Sequence, residues 1–270
     1  MNVGIIGVGY IGSNILIYLK SLNIKAIVIT RKNLKIIEKE EFDYLINASG
    51  NSGDFRQQLI ETIESNLSLN SYILKKAKIK HSYIYLSSSR IYGFSDNKNT
   101  VFDENSYGCN NNLDLDYIYD GSKKLAESLL FNYSKKINYK IGILRLSNVY
   151  GKFDTLDDTT FIKKLIRYKK ESLSNLSVEQ NRYSKKDYIH IDDVVQSIVN
   201  IMYNIKETNI YNLCYGKSYS IDDISKILNL DITTNQTIKP MYSNLSNSKI
   251  KKDFSIEFKH NFIDGLKIQL

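Results

Sequence analysis

Five short apolar runs alternate with longer amphipathic stretches in the first 150 residues, and this alternation restricts the fold more than any other feature. The runs are VGIIG (3–7), KAIVIT (25–30), YLINAS (44–49), SYIYLS (82–87) and IGILRL (141–146). They are mostly too apolar to leave one face in water, the pattern of strands covered on both sides. Between them, 11–21, 54–78 and roughly 119–136 carry helical spacing. In the last, Leu125, Leu129, Leu130 and Tyr133 share one stripe, with Lys123, Lys124, Glu127 and Lys135 largely off it. Strand–helix alternation predicts an α/β fold with a parallel, doubly wound sheet and right-handed crossovers.

The first run leads into GVGYIG (7–12), which opens the first helix. Gly7 permits the tight turn, Gly9 lets backbone approach a pyrophosphate, and Gly12 lets helix and strand pack closely. The phosphate then sits at the helix N-terminus, against the N–H groups of the first turn around Tyr10 and Ile11. In this context the loop predicts dinucleotide binding and a Rossmann-type sheet, against the plainer reading of a turn needed for packing. Past about 151 the strand–helix pattern loosens, with a helix near 158–170, YIHID (188–192), a helix 192–204, a strand IYNLC (210–214) and a helix from Ser220. The expectation is an NAD(P)-binding domain over 1–150 and a smaller, interleaved C-terminal α/β substrate lobe over 151–270.

An acidic residue at the end of the second strand would grip the ribose 2′-hydroxyl of NAD. Here the chain has Thr30, Arg31 and Lys32. Two cations suit the 2′-phosphate of NADP, which Arg31 can pair bidentately, so NADP(H) is favoured over NAD(H). A solvated basic loop is the competing reading. Ala48, ending the third run, is a further expected cofactor contact.

Composition narrows the class. The net charge of +8 comes mostly from lysines scattered along the chain, not from a concentrated arginine stripe, so nucleic acid is not the expected partner. No apolar run is long enough to span a membrane, and the first ten residues lack a basic leader, so a cytoplasmic protein is expected. Cys109 and Cys214 lie far apart in no ligand spacing, nor do His81, His190 and His260 show any; no metal site is expected.

The stretch YDGSK (119–123) places a tyrosine and a lysine four residues apart, on one helix face. An ammonium there favours phenolate over phenol, and a tyrosine drawn towards neutrality can exchange protons with a substrate. A surface lysine beside a half-buried tyrosine reads the same way. Upstream, SSSRIYG (87–93) sets hydroxyls at a strand's carboxyl end, where doubly wound sheets bind ligands. The glycine loop, this serine cluster and the Tyr–Lys pair, in that order, resemble the extended short-chain dehydrogenase/reductase family of nucleotide-sugar epimerases, dehydratases and ketoreductases. RLSNVYG (145–151), KDYIHIDDVV (186–195), YNLCYG (211–216) and SNSKIKKDF (246–254) are similar to its later signatures, and Asn66 falls on the asparagine of the helix before the catalytic strand. The resemblance implies Tyr119 as acid/base, Lys123 lowering its pKa and holding the nicotinamide ribose, and Ser88 holding the substrate oxygen. Ser87 or Ser89 takes the serine role if the register slips by one. Ser122 reads as packing, and Tyr117 has no lysine four residues on.

Departures from the family pattern narrow the reading further. Its dehydratases carry an acidic pair directly after the catalytic hydroxyl; Ser89 and Arg90 stand there instead, as candidate substrate contacts, so 4,6-dehydration is not expected. The first glycine of the usual GxxGxxG falls on Ile6. Lys186 replaces an arginine that often meets the diphosphate, with Arg182 and Lys185 nearby. Asn148 is a further substrate candidate, or an ordinary turn residue; His190 and Asp193 read as structural. The expected activity is an NADPH-dependent reduction of a nucleotide-linked 4-keto sugar, with an NAD-dependent nucleotide-sugar epimerase as the alternative. The resemblance also implies a homodimer formed through the helices at 54–78 and 119–136.

Overall fold

The computed structural model describes residues 1–50, 55–108, 116–153, 160–174 and 176–270; Cys109 lies outside them. Six strands form the principal sheet: β1 (Val3–Ile6), β2 (Ala26–Ile29), β3 (Glu41–Asn47), β4 (Lys78–Ser88), β5 (Lys140–Leu146) and β6 (Asn209–Leu213), in the order β6-β5-β4-β3-β1-β2. Pairing from β5 through to β2 is parallel. All four residues of β1 are buried, as are the last seven of β4. The apolar runs of β1, β4 and β5 therefore mark strands covered on both faces, whereas three of the four residues of β2 are half-buried. Strand order reverses about β1, whose neighbours are β2 and β3, so the connections that leave the paired carboxyl ends of β1 and β3 part there, the switch point where such sheets bind ligands.

The chain divides into two interleaved units. The first comprises Met1–Ile91, Asn110–Leu146 and Val195–Tyr211; the second comprises Tyr92–Cys109, Ser147–Val194 and Asn212–Leu270. Residue 150 therefore lies near one of several crossings. The core of the first unit gathers Ile37, Phe42, Leu45, Tyr83, Tyr85, Ala126, Leu130 and Ile143. The helical segment expected over 54–78 runs as Leu59–Ile63, a π-helical turn at Glu64–Ser68 that carries Asn66, and Leu69–Lys76. Such π insertions re-aim side chains and frequently mark functional sites.

The second unit contains a five-stranded sheet built from Ser218–Ser220, Lys185–His190, Tyr242–Leu245, Val101–Phe102 and Asn148–Tyr150. Tyr150, Leu165, Tyr188, Ile224, Phe262 and Leu266 fill its core. The helix expected from Ser220 is Ile221–Leu228: Ser220 is its N-cap and Asp223 returns a bond to the Ser220 N–H, a reciprocal capping box. Among the described residues no helix is long and apolar enough to cross a membrane.

Candidate active site

The glycine loop forms a cradle in the first unit. Gly7 has φ +83°, a left-handed conformation that disfavours any side chain. A Cβ on Gly12 would lie 2.0 Å from the Gly7 carbonyl oxygen, so only glycine lets helix Tyr10–Ser21 sit this close to the turn. Around Gly9 a Cβ would meet nothing within 4 Å: the backbone faces open space, as a pyrophosphate requires. Gly7, Gly9, Thr30, Arg31, Ala48, Ser49 and Gly50 help line a cavity of about 650 Å³, together with Ser65, Ser68 and Tyr72. A nicotinamide dinucleotide fits this donor set. Tyr10 and Ile11 open the helix and are half-buried; neither is among the lining residues, and their place in the cradle is through the backbone.

Arg31 and Lys32 form an exposed helical turn just after β2. Its conformation is set by Asn33, whose Oδ1 accepts from the Thr30 N–H at 2.6 Å. Arg31 lines the cavity; Lys32, the next residue of the turn, is not among the lining residues.

Helix Tyr117–Tyr133 stacks Tyr119 and Lys123 on its buried face, and the Ser88 hydroxyl, at the end of β4, lies near enough to the Tyr119 phenol to lower its pKa. Ser87 donates instead to Glu127 Oε1 at 2.5 Å, which leaves Ser88 as the serine that acts on the phenol. Ser89 is buried one residue on, and Ser122 links Asn66 Nδ2 (3.0 Å) to the Tyr119 carbonyl (2.9 Å), a packing role.

The electrostatics differ from the sequence expectation. Burial pushes the Tyr119 phenol up from its ordinary value; the Arg90 charge and the Ser88 bond pull it down by less, and Asp120 adds to the rise. Lys123 Nζ lies 6.0 Å from the Tyr119 ring centroid and donates to the Leu86 carbonyl at 2.8 Å. Its own pKa is pushed down to about 7 by burial, against the Glu127 carboxylate. Helical spacing alone supplies the neighbour and omits the cost of taking an ammonium out of water. A Cβ on Gly50 would lie 3.4 Å from Lys123 Nζ and 3.6 Å from Asn66 Oδ1, a buried acceptor with no partner among the described residues. That leaves polar groups directed at the same space, as a ribose would use.

Sequence reasoning did not find the group around Arg90. Its Nη2 lies 3.0 Å from Asp116 Oδ2 and its Nε 3.2 Å from Asp120 Oδ1. Asp116 is also held by Arg56 through two bonds of 2.6 and 2.7 Å. The Arg90 guanidinium lies 5.0 Å over the Phe55 ring and 5.7 Å over Tyr119. Burial pushes Asp120 up to about 6, with Arg90 opposing. The only sequence signal was Arg90 standing where the dehydratases carry an acid.

In the second unit, Asn148 is exposed and donates to the Asp187 carbonyl at 2.9 Å. Lys186 is half-buried with Nζ 5.6 Å over the Phe94 ring. Arg182 pairs with Asp222, which also holds Lys226, so a carboxylate already engages this candidate for a diphosphate. Asp187 accepts from the N–H groups of Tyr215, Gly216 and Lys217 at 2.7–3.0 Å, the structural reason for an aspartate in KDY. His190 and His260, 70 residues apart, stack at 4.3 Å beside Asp192, an association no local spacing reveals. Both rings are engaged: His190 Nδ1 accepts from the Asp192 N–H, and His260 Nδ1 lies 3.0 Å from Asp193 Oδ1.

The model of the NAD dependent epimerase/dehydratase family matches residues 3–214, most of the chain. The chain belongs to this family. A dTDP-D-glucose 4,6-dehydratase of Dictyostelium discoideum is 27% identical over 84% of this chain and 61% of its own length, so the chain spans less than two thirds of that relative. An ADP-L-glycero-D-manno-heptose-6-epimerase of Brachyspira hyodysenteriae is 29% identical over 82% of this chain and 78% of its own. Among solved structures, MoeE5 in complex with UDP-glucose and NAD superposes with a TM-score of 0.85 at 17% identity, covering 100% of this chain and 97% of that one. This confirms the Rossmann-type fold over the whole length.

Proposed function

We propose that this chain is an NADPH-dependent ketoreductase acting on a nucleotide-linked 4-keto sugar. The observation that carries the reading is the buried Ser88–Tyr119 pair with Arg90, and no carboxylate, directly beyond the catalytic hydroxyl. Bound at the glycine cradle, the nicotinamide supplies the hydride. Tyr119 gives its proton to the oxygen of the reduced carbon, and Ser88 donates a hydrogen bond to that oxygen, fixing its position. Lys123 and the Asn66 amide hold the ribose side of the site. Asn148, Lys186 and Arg182 of the second unit stay as proposed contacts for the nucleotide sugar, Arg182 only on exchanging its bond to Asp222. Support for the fold's use on nucleotide sugars comes from the relatives named above. The alternative, an NAD-dependent nucleotide-sugar epimerase with a tightly held cofactor, is favoured by the heptose-epimerase relative, which the chain matches over most of both lengths.

Denaturing the purified protein and identifying any dinucleotide released separates the two. The reductase predicts an empty site that binds NADPH ahead of NADH. Arg31→Ala should then weaken NADPH roughly tenfold or more, the loss of a charge-assisted bond, and leave NADH nearly unchanged. Stoichiometric NAD in the purified protein overturns the reductase, and equal weakening of both cofactors overturns the role of Arg31.

The proposed setting is the cytoplasm and the proposed assembly a homodimer. Ile60 and Leu125 remain 70% and 55% exposed on the helices expected to pair, apolar side chains that a second copy would cover. Sedimentation should show a dimer that Leu125→Lys converts to monomer; a monomeric parent chain ends that part of the proposal.

A further inference from the structure

We infer that Arg90 is a positioning residue for the acid/base tyrosine: clamped by Asp116 and Asp120, its guanidinium stabilises the Tyr119 oxyanion as the proton leaves. The inference rests on the reading of Tyr119 as the proton donor. Two facts about the site make it necessary to look beyond Lys123. The phenol is only 6% exposed, so its anion has little water to stabilise it. Lys123 is itself buried, and its Nζ is already directed at the Leu86 carbonyl.

Arg90 supplies what is missing. It retains its charge where a buried lysine does not, because a guanidinium remains protonated at any pH the protein meets. Its position is over-determined. Asp120 holds Nε, Asp116 holds Nη2, and Arg56 fixes Asp116 from the far side, giving an alternating row of four charges. The Arg90 backbone N–H also donates to Ser88 Oγ at 3.2 Å, so the same residue orients the serine that lowers the pKa of the phenol.

The groups that face Tyr119 come from each element packed around it. Phe55 meets its ring at 5.1 Å, β4 brings Tyr85 and Ser88, and its own helix brings Asp120 and Lys123. Asp120 opposes the effect proposed for Arg90, but its influence on the phenol is the weaker of the two. When Tyr119 transfers its proton, the O–H bond breaks, the substrate oxygen gains the proton, and the negative charge left on Tyr119 faces Arg90.

The same geometry argues against Arg90 as a phosphate contact. Two carboxylates already hold its Nε and Nη2, and an incoming diphosphate would meet their repulsion.

The test is a titration of Tyr119 by NMR in protein carrying ring-labelled tyrosine and saturated with NADP⁺, the Tyr119 signal being identified by its loss in Tyr119→Phe. In Arg90→Met the acid constant of Tyr119 should fall about tenfold, a midpoint higher by one unit, and Arg90→Lys should recover most of it. Both variants must still bind NADPH, which shows the fold intact; if Arg90→Met fails this check, Arg90→Lys against Arg90→Gln provides the comparison. An unmoved midpoint overturns the inference. If KM for a keto sugar nucleotide then rises with kcat unchanged, Arg90 is a substrate contact; if kcat falls instead, its role is structural. The titration needs no turnover, so a failure to find any nucleotide-sugar substrate would overturn the proposed function while leaving this result decisive.

Discussion

Tyr119→Phe is expected to lower turnover by about three orders of magnitude while dinucleotide affinity stays nearly the same. The substitution removes one hydroxyl from a ring that is packed against Phe55 at 5.1 Å and is 6% exposed, so the aromatic volume and its contacts survive. What disappears is the proton that must reach the substrate oxygen, and a positioned general acid contributes on the order of 10²–10⁴ in rate. Ser88 keeps its bond from the Arg90 N–H, so the local backbone has no reason to move. The dinucleotide cradle depends on Gly7, Gly9 and Arg31, none of which touches this hydroxyl. Measuring kcat with a keto sugar nucleotide, and NADPH affinity by fluorescence, checks both halves. Turnover within tenfold of the parent would show that another group carries the proton. A parallel collapse of NADPH binding would mean that the phenol is part of the cofactor site.

The parts of this protein that were legible in its sequence are those fixed by local pattern. Strands buried on both faces must be apolar throughout, so VGIIG and IGILRL could be read directly, and β1 and β5 fall on them within a residue or two. A turn with φ above zero favours glycine, and Gly7 announced one. Four-residue spacing put Tyr119 and Lys123 on one face. Features made by distant residues were not legible. Nothing local ties Arg56 to Asp116, 60 residues on, or His190 to His260. The closing helix Phe262–Ile268 escaped notice because Gly265 interrupts its pattern. That glycine is there to admit Tyr150, whose hydroxyl would lie 2.2 Å from a Cβ at 265. Spacing likewise says nothing about solvent. It identified the neighbours of Tyr119, and burial then set the direction in which its proton affinity moves.

The largest loss of stability is expected from Glu127→Ala, a residue eight positions beyond Tyr119 on the same buried stripe. Glu127 and Arg145 are 3% and 7% exposed, with Arg145 Nη2 2.7 Å from Oε2 and Nε 3.1 Å from each carboxylate oxygen. The sheet register places Ser87 of β4 beside Arg145 of β5, and both bond the one carboxylate, which rivets the catalytic helix to two adjacent strands. Removing the carboxylate takes from the buried guanidinium the ion partner that holds it through three bonds, which costs about 3–5 kcal/mol. At roughly 2–4 °C per kcal/mol for a chain of this size, the thermal midpoint should fall by about 10 °C. Glu127→Leu combined with Arg145→Met removes both charges and should recover much of that loss, since buried pairs are often no better than apolar residues of similar volume. A functional signature accompanies the structural one. Glu127 is the group that opposes the depression of the Lys123 pKa, so without it Lys123 loses its proton at a lower pH. Even the stabilised double variant should therefore hold the ribose less firmly above neutrality than below it, seen as NADPH affinity that declines with rising pH more steeply than in the parent. Calorimetry and binding across pH 6–9 test both, a range of about three units centred near the Lys123 transition. A midpoint shift under about 2 °C for Glu127→Ala would show that water or a neighbouring group takes the place of the carboxylate. An unchanged pH dependence in the double variant would mean that the charge of Lys123 does not rely on Glu127.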